Sequence, residues 1–232
     1  ALLYIHRKGR RRHAGSLRRS GQSLPEHIYD ALIVRIPVEK RMQISKFHSR
    51  TEKEVRLLAE LLVRIRACAQ LGGKNSALHS EIGQYGSLFS PLLLPFFNTA
   101  FPIPKTALAA FHHQPVGADI EFYRTVHPAV IRRYFSVREQ AYVETDGKDP
   151  DPSCILEIWT GKEAFAKCLG TGLPRVFSRG GYLCAKISPY TLHRKVDGKY
   201  VMTICASESG ECRFIRRSVA EITQEALRLS AC

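Results

Sequence analysis

Val116-Gly117-Ala118-Asp119-Ile120-Glu121 alternates apolar and acidic residues, with Ile120 between two carboxylates. That alternation reads as a strand. Residues two apart on a strand point to the same face, so Asp119 and Glu121 project together. A second stretch, Trp159-Thr160-Gly161-Lys162-Glu163-Ala164-Phe165-Ala166-Lys167, reads as helix. Residues four apart on a helix are neighbours, which sets Trp159, Glu163 and Lys167 on one stripe. Three carboxylates and a lysine within one fold unit point to a hard divalent cation handling a phosphate. Mg2+ takes oxygen ligands from few carboxylates, from water and from substrate phosphates.

Working outward, Ser153 is expected to cap the helix of the second stretch, and Gly170 and Gly172 to end it. The acidic strand is expected to form a hairpin with an apolar strand from Lys105 to His112, through the turn His113-Gln114-Pro115. His112 and His113 read as surface residues at a strand end rather than ligands or bases. Pro128 starts a helix reaching Tyr134-Phe135, and Ser136 with Glu139 gives a capping-box signature for the next one. Asp146 to Pro152 is a polar loop. Further on, strands are expected over 181–187, 199–206 and 212–215, the first two joined by a turn at Asp197-Gly198, with a closing helix over 220–229.

Upstream, Pro25 to Val34 reads as a short helix, and Pro37 starts another that carries Lys40, Arg41 and Lys46. The strongest helical pattern follows. Thr51 and Glu54 make a capping-box signature, Val55, Leu58, Leu62, Ile65 and Ala69 recur at helical spacing, and Gly72-Gly73 stops it. Arg56 and Arg64 on this helix are expected to be solvated, Arg56 lying early enough to face a cleft. Residues 74–104 read as irregular, with Pro91 to Phe97 as a buried approach to a strand.

The length of 232 residues suits one large domain or two small ones, and 44% hydrophobic residues with a mean hydropathy of −0.17 describe a soluble globular chain. No window approaches the ~18 apolar residues of a membrane span. Ala1 to Ile5 is too brief for a signal-peptide core, and basic residues follow it rather than precede it. The seven cysteines include no CxxC pair, so they read as buried thiols in a reducing compartment, the cytoplasm, and not as a zinc site or disulfide framework. A net charge of +14 calls for anionic partners. Residues 1–20 hold seven Lys/Arg and no acid, but no aromatic residues interleave with them, which argues against a dedicated nucleic-acid module.

Gly117-Ala118-Asp119-Ile120-Glu121 followed by Trp159 to Lys167 resembles the paired signature of the 4′-phosphopantetheinyl transferase superfamily, roughly G-x-D-x-E and then W-x-x-K-E-A-x-x-K. Tyr134-Phe135-Ser136 with Glu139 matches the family's aromatic-Phe-Ser-x-x-Glu segment. Glu39-Lys40-Arg41 through Leu57-Leu58 and Leu62-Val63-Arg64 resembles the first-half helix of the larger, two-lobed, monomeric class. The resemblance covers residues 25–190. It implies an α+β, pseudo-twofold, two-lobed fold with coenzyme A bound between the halves; the lobes are expected over 1–112 and 113–232. The implied reaction moves the phosphopantetheine arm of coenzyme A onto a serine of an acidic apo carrier protein.

By the same resemblance, Asp119, Glu121 and Glu163 hold Mg2+ on the coenzyme A diphosphate, and Glu163 also takes the serine proton. Lys167 contacts the diphosphate and assists the leaving group. Lys40, Arg56 and Lys162 join Lys167 around the nucleotide and phosphates, and Trp159 orients its helix by packing. The bland alternative for Glu163 and Lys167 is an ordinary ion pair one helical turn apart, worth ~0.3–0.5 kcal/mol. The chain departs from the family upstream: Ile82-Gly83-Gln84-Tyr85 stands where G-K-P is usual, and Phe97-Asn98-Thr99-Ala100-Phe101 replaces F-N-x-S-H. Alanine and phenylalanine do not supply the hydrogen bonds of serine and histidine. The alternative function is therefore an impaired or repurposed member acting as a binding protein.

Overall fold

The structure is a computed structural model and describes residues 2–6, 23–72, 75–78, 81–82, 88–89, 96–100, 106–144, 152–173, 190–197, 200–207 and 212–232. In chain order these form β1 (Leu2–His6), α1 (Glu26–Ile33), α2 (Val38–Ser45), α3 (Arg50–Leu71), a single 3-10 turn (Asn75–Ala77), β2 (Glu81–Ile82), β3 (Leu88–Phe89), β4 (Phe96–Ala100), β5 (Thr106–His112) and β6 (Val116–Phe122). There follow α4 (Pro128–Tyr134), α5 (Val137–Val143), α6 (Pro152–Leu169), β7 (Thr191–Asp197), β8 (Tyr200–Ala206), β9 (Phe214–Arg217) and α7 (Val219–Ala226). The class is mixed α+β, as expected. None of the described helices is long and apolar enough to cross a membrane.

Contacts group the chain into two units, one of Ala1–Leu2, Ser80–Ala100 and Leu108–Phe214, the other of Leu3–His79, Phe101–Ala107 and Ile215–Cys232. In the first unit, β6 lies beside β8 and β8 beside β7, all antiparallel. The β6–β8 register runs from Val116 opposite Ala206 to Phe122 opposite Tyr200 and sets Asp119 opposite Thr203. The expected hairpin of β5 with β6 is overturned. β5 pairs with β4, from Phe96 opposite His112 to Ala100 opposite Leu108, while β6 gives its ladder to β8. β6 is instead tied to β4 by a side chain: Asn98, 1% exposed, accepts the Ala118 N–H at 3.1 Å. The bond satisfies a buried backbone donor that a β5 partner would otherwise have taken.

The strand β7 was not expected. Its sequence Thr-Leu-His-Arg-Lys-Val-Asp has no apolar run, because it is an edge strand with Arg194 and Val196 exposed. It ends at Asp197, and Gly198 of the expected turn lies outside the described residues. The expected strand over 181–187, most of the 91–97 run and the basic residues 7–19 lie outside the described residues. Helix α6 begins at Pro152, so Ser153 is inside it rather than its cap. Gly170 and Gly172 close it with φ of 63° and 71°, a left-handed backbone that favours glycine.

In the second unit α3 supplies most of the core, with Leu57, Leu58, Leu61 and Leu62 fully buried beside Val55 and Val63. Its cap is Ser49, whose hydroxyl accepts the Glu52 N–H, two residues before the expected Thr51. Glu54 is freed from a capping box and is wholly buried, accepting from the Leu24 N–H and from Arg50. Gly72 ends the helix with φ 61°. Arg64 is a further correction. Far from solvated, it is 2% exposed and donates to Glu60, to the backbone and side chain of Asn75 and to the Leu78 carbonyl. A buried guanidinium persists only with such a full set of acceptors. Ala69, expected to face the core, is exposed.

Candidate active site

The close packing of α6 on β6 starts at Gly117. A Cβ at this position would run into the Ala164 carbonyl oxygen and the Cys168 amide nitrogen of α6. Glycine alone lets helix and strand backbones meet there. Two residues further along the same face comes Asp119, 6% exposed, and two further Glu121, half-buried. From the helix side, Lys167 Nζ donates to Asp119 Oδ1 at 2.7 Å and to the Ala118 carbonyl at 3.1 Å. The lysine is thus anchored across to the strand rather than in a pair confined to its own helix. Asp119 Oδ2 is buried and accepts no hydrogen bond.

The charges around this pair are strongly coupled. Burial pushes the Glu163 carboxyl up to about 6; the Lys167 ammonium opposes the rise, and the Asp119 and Glu121 carboxylates add to it. Glu121 is also raised, by burial and then by Asp119, against the pull of Arg124 and a hydrogen bond from Trp159. For Lys167 burial acts to lower the value, but the Asp119 charge and hydrogen bond, helped by Glu163 and Glu121, hold the ammonium above the ordinary lysine range. Three acids share one lysine and repel one another. Raised carboxyls arranged around a cation mark a candidate functional site.

Two contacts set the helix rotation. Thr160 Oγ1 donates to the Leu156 carbonyl at 2.8 Å and lies 2.7 Å from the hydroxyl of Thr203, the residue opposite Asp119. Trp159 packs edge-on against Tyr134, ring centroids 5.6 Å apart, and its indole acts to hold the Glu121 carboxyl down. The sequence reading assigned Trp159 to packing alone. It gave Thr160 and Thr203 no role of their own and took Asn98 only as part of the segment that departs from the family pattern.

Lys162, expected among the coenzyme A contacts, is placed inside the protein. It is 0% exposed, and Nζ donates to Glu139 Oε2 and to the Tyr134 carbonyl, each at 2.6 Å. Lys40 and Arg56 belong to the other unit. There Lys40 Nζ stands 3.8 Å from Glu60, while Arg56 donates to Glu52 at 3.2 Å with its guanidinium 3.9 Å above the Phe47 ring. Both side chains reach outward enough to be half-buried, unlike Lys162.

Among the described residues no three His, Cys, Asp or Glu side chains stand together as a ready-made metal centre. The acidic set still fits a hard cation in kind. Its donors are all carboxylate oxygens, one of them a buried oxygen without a partner, and its mutual repulsion is of the sign that a bound cation relieves.

Residues 115–205, the span that holds both signatures, match the model of the 4'-phosphopantetheinyl transferase superfamily. Over this span the chain is similar to that superfamily. Its relatives include the 4'-phosphopantetheinyl transferase Sfp of Bacillus subtilis (strain 168), 26% identical over 184 residues that cover 74% of this chain and 82% of Sfp. Another 4'-phosphopantetheinyl transferase of Bacillus subtilis is 23% identical over 62% of this chain and 64% of its own length. The transferase gsp of Aneurinibacillus migulanus is 24% identical over 65% of this chain and 62% of its own length. The match therefore spans a little under two thirds of two of these relatives and more of the third.

Proposed function

We propose that the chain transfers the 4′-phosphopantetheine arm of coenzyme A to a serine of an acidic apo carrier protein. It does so as a monomer of the larger class with a two-lobed, pseudo-twofold plan. The observation that carries this reading is the Lys167–Asp119 pair where β6 meets α6, with the Glu121 and Glu163 carboxyls raised by burial and coupled to it in charge. The cytoplasm is the compartment we propose, on the scattered cysteines without a CxxC pair.

Asp119, Glu121 and Glu163 are the residues that would hold Mg2+. When bound, the ion neutralises charge on the diphosphate of coenzyme A and on the departing phosphate. The rest of the chemistry belongs to side chains of this chain. Glu163 accepts the proton of the carrier serine as its oxygen forms a bond to phosphorus. The bond from that phosphorus to the leaving adenosine 3′,5′-bisphosphate breaks, and Lys167 stabilises the departing oxygen or gives it a proton. Asp119 holds Lys167 at that position. Lys40 and Arg56 are cationic contacts for the phosphates of coenzyme A.

The test is to incubate the protein with coenzyme A, Mg2+ and several apo carrier proteins and to follow the carrier by mass. The expected result is a gain equal to one phosphopantetheine arm that disappears in Asp119→Ala. A carrier panel that stays unmodified, with Asp119→Ala behaving like the parent, rejects the reading.

A further inference from the structure

Lys162 is adjacent in sequence to the proposed base and yet touches no surface a ligand can reach. Its ammonium is wholly buried, 2.6 Å from a Glu139 carboxylate that is itself 0% exposed. Glu139 is the third residue of α5 and closes its capping box: Oε2 also accepts the Ser136 N–H at 2.7 Å, while Ser136 Oγ accepts the Glu139 N–H at 3.4 Å. The second acceptor of Lys162 is the carbonyl of Tyr134, the last residue of α4. The Phe135 ring lies 5.1 Å from the ammonium. One lysine on α6 therefore clamps the α4–α5 junction through two charge-assisted bonds.

The clamp is connected to the acidic set from both sides. On α6, the next residue is Glu163. On α4, the backbone held by Lys162 is that of Tyr134, whose ring packs against Trp159, a residue whose indole acts on the charge of Glu121. An ammonium with both acceptors already at hydrogen-bond distance and no exposed surface has nothing to offer a nucleotide phosphate.

We infer that Lys162 and Glu139 are a positioning pair that aims Glu163 and Glu121 at the reacting phosphate, and that Lys162 acts without touching coenzyme A. The role rests on the transferase activity proposed above. Displacing a reacting group by about 1 Å costs on the order of a hundredfold in rate, whereas binding of the remote nucleotide is untouched. The pair is expected to act on kcat and not on the affinity for coenzyme A.

The experiment compares the full chain with Lys162→Met and with the paired variant Lys162→Met/Glu139→Gln. The single change leaves Glu139 buried without its counter-charge and is expected to lower Tm; the paired change removes both charges, keeps a side-chain acceptor for Ser136 and is expected to restore folding. In the restored variant kcat is expected to stay roughly a hundredfold down, with KM and Kd for coenzyme A within about twofold of the parent. Emission of Trp159, the only tryptophan of the chain, shifts in the same variant without any substrate present. A kcat that returns together with Tm makes the pair merely structural and overturns the proposal. So does a tenfold rise in KM and Kd at unchanged kcat, which makes Lys162 a ligand contact. A parent protein that modifies no carrier overturns the activity itself and this role with it, an outcome distinct from the other two.

Discussion

Gly117 is where a single atom decides the geometry of the site. With a hydrogen for a side chain, β6 approaches the Ala164 carbonyl and the Cys168 amide closely enough for Asp119 to reach Lys167. Gly117→Ala forces helix and strand apart against backbone atoms that have nowhere to go. Overpacking of this kind costs about 3 kcal/mol or more, and urea unfolding is expected to show at least that loss. Glu163 is set in the opposite sense, since its charge is tolerated rather than favoured. Burial and the neighbouring carboxylates lift its carboxyl to about 6, so in metal-free protein at pH 8 its ionised form works against folding. Glu163→Gln is expected to stabilise the metal-free protein by about 1 kcal/mol after allowance for its partial exposure, while transfer to a carrier is lost. A thermal melt and the mass assay on one sample check both halves. The acids and the lysine were singled out by residue type and spacing. The identity of the partner was not: Lys167 reaches across to Asp119 because that distance is set by strand-to-helix packing.

Among the elements, α5 is short and depends on its cap. Ser136 and Glu139 close a full capping box, and the sequence S-x-x-E announced it correctly because that motif is satisfied entirely within four consecutive residues. Ser136→Ala is expected to cost about 1 kcal/mol by chemical denaturation. The same carboxylate gives the element a pH dependence. Burial alone would raise Glu139, but the Lys162 hydrogen bond, the Ser136 backbone N–H and the Lys162 charge outweigh it and hold the carboxyl below its ordinary 4.5. A depressed carboxyl contributes its full stability above pH 4.5 and loses it as pH falls through the lower, folded value. Unfolding titrations are therefore expected to show stability dropping below pH 4.5, and Glu139→Gln is expected to flatten that part of the curve. The elements misread from sequence share one cause. The β5–β6 hairpin was inferred from a short connection, and β7 was passed over for want of apolar alternation. Which strands pair depends on partners far along the chain, here β8 for β6 and β4 for β5.

For the whole molecule, charge is the property with the widest reach. On the proposed function, a net charge of +14 would steer an acidic carrier towards the protein, and such steering weakens with ionic strength because screening shortens to about 8 Å at physiological salt. KM for an acidic carrier is expected to rise steeply between low and high salt, with kcat changing little; steady-state kinetics at two ionic strengths checks this. By itself the sequence determined the α+β class, the helix ends that carry glycine and the α5 cap, since each is written in neighbouring residues or in a fixed spacing. Only the tertiary structure decided which strand β6 pairs with, that Arg64 is a buried hub, and that Lys162 turns inward to Glu139 while Lys167 turns to Asp119. A lysine's charge is visible in sequence, but whether it faces solvent, a ligand or a buried carboxylate depends on what packs around it, and those neighbours come from distant parts of the chain.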